Sequence, residues 1–89
     1  MTKAEAIENL KIIPGVGISI ANDLYNIGIR KVIDLKGKSP EGLYDLSNRY
    51  AGVVQDRCLL YVFRCAIYFA NNVEKNPDNE KLKWWNWKD

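Results

Sequence analysis

Histidine is absent from the 89 residues, and cysteine occurs only twice, at Cys58 and Cys65. Without histidine the usual zinc sets cannot be assembled from one chain, so no metal site is expected. No nucleophile stands at readable spacing from a base, and the chain is therefore expected to be neither an enzyme nor a cofactor carrier. An excess of either charge is also missing: 13 Lys and Arg against 11 Asp and Glu leave +2, a weak pull on a polyanion. No charged-then-apolar leader opens the chain and two cysteines suit a reducing compartment, which together predict a cytoplasmic protein. The most apolar span, residues 57–70, contains two arginines and falls short of the roughly 20 residues that a membrane crossing needs.

What is present is enough apolar sequence for one self-sufficient domain. At this length a chain buries about 60–65% of its unfolded surface without a metal or disulfide, and 47% of the residues are hydrophobic. Thr2 with Glu5 forms a capping box that predicts a first helix to about Lys11, with Ile7 and Leu10 on its apolar face. Ile20, Ala21, Leu24 and Ile27 repeat with helical period up to Gly28, which predicts a second helix over 18–27. Arg30 to Lys36 can form a short helix. Ser39-Pro40 opens another, because a hydroxyl cap followed by Pro at the first helical position removes an N–H that had no partner. It is expected to run to Gly52. Five helical segments and no alternating strand predict an all-α, compact bundle of about five helices.

Residues 57–70 carry a repeat of seven, RCLLYVF then RCAIYFA. Seven residues bring a helix almost back to its starting angle. Arg57, Tyr61, Arg64 and Tyr68 therefore fall on one stripe, and Cys58, Val62, Cys65 and Phe69 on the next. The first stripe is a candidate partner surface, together with Trp84, Trp85 and Trp87 of the tail, since Arg, Tyr and Trp dominate interface hot spots. The cysteines lie about 10 Å apart along the helix axis, too far for a disulfide. Both are expected to line a packed face and to react slowly.

Residues 12–23 read IIPGVGISIAND. A Pro-Gly-Val-Gly turn before a helix lets the backbone approach an anion, and a helix N-terminus favours negative charge. Ile13-Pro14-Gly15-Val16-Gly17, followed by Ala21, Leu24, Gly28-Ile29, Val32 and Asp34-Leu35, resembles a helix-hairpin-helix, the module with which many DNA repair proteins grip the phosphodiester backbone. With residues 56–70 added, the chain is similar to the small bacterial pathogenicity-locus family, also labelled mitomycin-resistance-like, over most of residues 7–70. The resemblance implies a helix-hairpin-helix domain over residues 1–74 and a Trp/Lys-rich extension over 75–89. It also implies DNA as partner, bound without sequence preference in repair or DNA handling. The residues in question are Gly15, Val16, Gly17, Ile18 and Ser19, with Lys11, Arg30 and Lys31 as the nearest cations. Many such hairpins carry Lys or Arg after the second Gly, where this chain has Ile18-Ser19-Ile20, so modest affinity is expected. Ala51-Gly52-Val53-Val54 aligns with the first turn 37 positions on and is either a degenerate second hairpin or an unrelated turn. The alternative function is a protein-interaction adaptor that keeps the fold without binding DNA.

Overall fold

A computed structural model describes residues 2–89. Four α-helices form: α1 (Lys3–Leu10), α2 (Ile18–Asn26), α3 (Pro40–Ala51) and α4 (Cys58–Asn72). Their starts follow from local chemistry. The Thr2 hydroxyl accepts the Glu5 N–H at 3.2 Å and the Ser39 hydroxyl accepts the Gly42 N–H at 3.1 Å, so each supplies one orphan donor with a partner. Gly52 ends α3 in the left-handed conformation, φ 75°.

The predicted helix at 30–36 is tighter than expected, a 3₁₀ turn over Val32–Leu35. Asp34 holds it by accepting from the N–H groups of both Arg30 and Lys31, each at 3.0 Å. The tail folds as two further 3₁₀ turns, Asn79–Leu82 and Trp84–Trp87. The count is thus four α-helices and three short turns, with no strand among the described residues.

α4 is the central helix, packed by α3 and by all three 3₁₀ turns. Leu59, Leu60, Val62, Phe63, Cys65, Ala66, Ile67 and Ala70 are buried along it, and all of these but Leu60 and Cys65 join one core with Leu10 and Ile13 from the first helix and turn, and Leu24 and Leu35. Burial on several sides explains its near-continuous apolar sequence. Among the described residues no helix is long and apolar enough to cross a membrane.

Candidate nucleic-acid interface

α1 and α2 pack on each other across the turn at residues 11–17. The Val16 N–H donates to the Ile13 carbonyl at 3.0 Å, with Pro14 and Gly15 between them and Gly15 at φ 84°. This is a type II turn, which sets Pro where φ is already near −65° and Gly where φ must be positive. Ile13 and Val16 both point into the core, so they anchor the turn from below. Val16 was an expected contact residue. Its side chain is buried and its N–H is engaged, which leaves it no donor to offer an anion.

Gly17 caps α2 with extended backbone, φ −94°, and no side-chain hydrogen bond. The first-turn donors of Ile18 and Ser19 therefore meet the surface uncapped, both residues being exposed. α4 starts differently. Its first N–H, on Cys58, is taken by the Asp56 carboxylate at 2.8 Å, and this bond holds Asp56 below the usual carboxylate range. Gly52 shares the positive φ of Gly15, but Val54, in the place of Gly17, is exposed and the chain runs three more residues before α4 begins. An aspartate thus occupies the helix end that an anion would need, and the second turn has no open donor set comparable to the first.

The cations are only partly where the sequence implied. Lys11 pairs with Glu8 at 3.3 Å. Arg30 lies at the opposite end of α2 from the turn, its guanidinium 3.8 Å from the Tyr25 ring centroid and donating to the Tyr25 carbonyl at 2.6 Å. It serves as a cationic C-terminal cap. Lys31 is exposed, with Ile12 in a shared groove beside the turn. On the other flank, a cleft of about 370 Å³ is bordered by Gly15, Asp23, Asp56 and Trp84. Burial pushes the Asp23 carboxyl up, but both acids oppose an anion on that side. The open approach to the amides is over Ile18 and Ser19.

The arginine-tyrosine stripe forms on one face, as the repeat of seven requires, and the chain's own tail lies along it. The Asp89 carboxylate accepts from Arg57 Nε at 2.5 Å, Arg64 Nη1 at 2.9 Å and the Tyr61 hydroxyl at 3.4 Å. The two arginines pull its pKa down to about 2, with Arg57 the largest influence. Arg64 also donates to the Trp87 carbonyl and pairs with Glu41. The Tyr68 and Trp87 rings meet tilted, centroids 5.7 Å apart, while the Tyr68 hydroxyl accepts the Asp78 N–H. Trp84 reaches the hairpin: a methyl group placed on Gly15 would stand 3.1 Å from its Cδ1. Trp85 is half exposed and meets Trp84 edge-on.

One expectation about the cysteines is corrected. Cys65 is buried, and desolvation lifts its thiol to about 11. Cys58 is exposed although the next two residues, Leu59 and Leu60, are buried; it is the first residue of α4, at the end of its stripe. Its thiol is nevertheless pushed up, chiefly by its hydrogen bond with Asp56. Among the described residues no three His, Cys, Asp or Glu side chains gather to hold a metal.

A small all-helical protein with one uncapped, glycine-entered helix N-terminus is the class that fold and site define. More particularly, the chain belongs to the Cdd1 pathogenicity locus family, whose model matches residues 3–89. The match takes in the Trp-rich tail, which the sequence resemblance at 7–70 had left outside, and this accords with the tail's bonds to α4. No curated protein and no solved structure matches the chain.

Proposed function

We propose that α1, the turn and α2 act as a helix-hairpin-helix that holds the phosphodiester backbone of DNA without reading its bases, in a repair or DNA-handling setting. The observation that carries this reading is the uncapped start of α2, where Gly17 leaves the Ile18 and Ser19 amides and the Ser19 hydroxyl facing solvent. Backbone amides at a helix N-terminus recognise phosphate by charge and shape and carry no sequence information. The Ile13–Gly17 motif supports the same reading. With Lys11 paired and Arg30 engaged at the far end of α2, few phosphates are neutralised, and dissociation constants in the range of about 10⁻⁴–10⁻⁶ M follow.

A second reading, a protein-interaction adaptor, is favoured by Ile12 and Ile18, which flank the turn and are each 64% exposed where a DNA-binding surface would carry cations. Titration of labelled duplex, single-stranded and branched DNA separates the two. The DNA reading expects binding to weaken with added salt and to be indifferent to base order, and saturable binding absent for all three forms at low salt would leave the adaptor.

A further inference from the structure

Beside the turn, a groove of about 300 Å³ runs between the end of α1, the Val32–Leu35 turn and the end of α4. Its floor is Ile12, Val32, Ile33 and Val73, of which Ile12 and Ile33 are 64% exposed and Val73 is 45% exposed. Large side chains with little solvent protection, gathered in one concavity, mark an interaction site more often than chance exposure. Lys31 and Lys36 stand on its rim, and neither enters an ion pair among the described residues. Glu74 and Asn9 complete the edge.

We infer that this groove docks an amphipathic helix of another protein, one that lays an apolar stripe on Ile12, Ile33 and Val73 and sets carboxylates against Lys31 and Lys36. Helix-in-groove recognition needs these two parts, an apolar trough and a charged rim that fixes orientation. A second copy of this chain is disfavoured, since a two-fold contact would offer a single acid of this groove, Glu74, to the two cations Lys31 and Lys36 of the other copy. DNA is disfavoured because Ile12, Val32, Ile33 and Val73 would face the phosphates between the two lysines, with the Glu74 carboxylate beside them. The chain's own tail is held elsewhere by Arg57 and Arg64, and its Lys81, Lys83 and Lys88 would repel the rim. The inference goes beyond the DNA reading and stands whether or not DNA binds.

The test uses two fluorescein-labelled peptides of about 18 residues, five helical turns, one with Leu at helical spacing and Glu elsewhere, the other with Lys in place of Glu. Fluorescence anisotropy is expected to show saturable binding of the Glu peptide and about tenfold weaker binding of the Lys peptide. Amide shifts in NMR spectra should centre on Ile12, Ile33 and Val73. Ile33→Glu should abolish binding, Lys31→Glu with Lys36→Glu should reverse the preference, and Gly17→Val should change neither. Both exposed-site variants are expected to melt like the parent, which excludes misfolding as the cause. Equal binding of the two peptides, shifts centred elsewhere, or no binding of either peptide would each overturn the inference.

Discussion

Replacing Gly17 by Val separates the chemistry of the turn from its architecture. Gly17 has φ −94°, a value open to any residue, and nothing lies within 4 Å of the position its Cβ would take. A poorer N-cap costs up to about 1 kcal/mol. Loss of glycine's freedom in the unfolded chain returns roughly 0.4–1 kcal/mol at a compatible site. The net change in stability is therefore within about 1 kcal/mol, or a melting shift under about 8 °C for a domain of this size. Binding is another matter. A branched side chain beside the Ile18 amide blocks a phosphate oxygen, and a hydrogen bond to a charged acceptor contributes about 1.5–3 kcal/mol, so one lost contact weakens binding roughly 10- to 100-fold. Gly15→Ala is the contrast. At φ 84° and with Trp84 Cδ1 3.1 Å away, it is expected to cost about 1–2 kcal/mol from backbone strain alone. Circular dichroism melts alongside anisotropy titrations of a labelled duplex read both quantities. A Gly17→Val protein that melts like the parent and binds DNA unchanged refutes the role given to these amides.

Asp89→Ala should release the tail from Arg57, leave Arg64 holding it only through the Trp87 carbonyl, and shift tryptophan emission to the red. Acid should do the same to the parent: the folded carboxyl sits near 2 and the free one near 3.8, so the clamp is complete above about pH 4 and fades as pH falls toward 2. A flat emission profile over that interval contradicts the clamp. Under native conditions a thiol reagent should label Cys58 and spare Cys65, with Cys58 reacting more slowly than a free thiol at neutral pH because Asp56 disfavours its thiolate; mass spectrometry of the labelled peptides checks this. Phe63→Ala, which empties the fully buried centre of α4, should lower stability by about 3–5 kcal/mol in urea unfolding.

Much of this architecture was legible because helix boundaries depend on neighbours. Thr2, Ser39-Pro40 and Gly52 each act within four residues, and all three sit where sequence placed them. The repeat of seven likewise set Arg57, Tyr61, Arg64 and Tyr68 on one face. What lies against that face was hidden, since Asp89 reaches Arg57 across 32 positions and no local pattern encodes such a pairing. Cys58 escaped for another reason: the repeat of seven puts it on the stripe of Val62 and Cys65, but burial along that stripe does not extend to the first residue of α4. Val16 and Arg30 show a third limit. Residue type nominated both for a ligand, but burial claimed the first and the carbonyl end of α2 claimed the second. The groove at Ile12, Ile33 and Val73 had no sequence signal, because its residues come from three separated segments.

The central claim is that backbone amides at the start of α2, with few cations beside them, hold DNA by its phosphates. Its most direct measurement is the slope of log binding constant against log salt concentration for a duplex, repeated with the base sequence scrambled. A slope of about −1 to −3, reporting one to three neutralised phosphates at roughly 0.9 each, and equal constants for both duplexes are predicted. A slope near zero with tight binding, or constants that differ about tenfold between the two sequences, would contradict it.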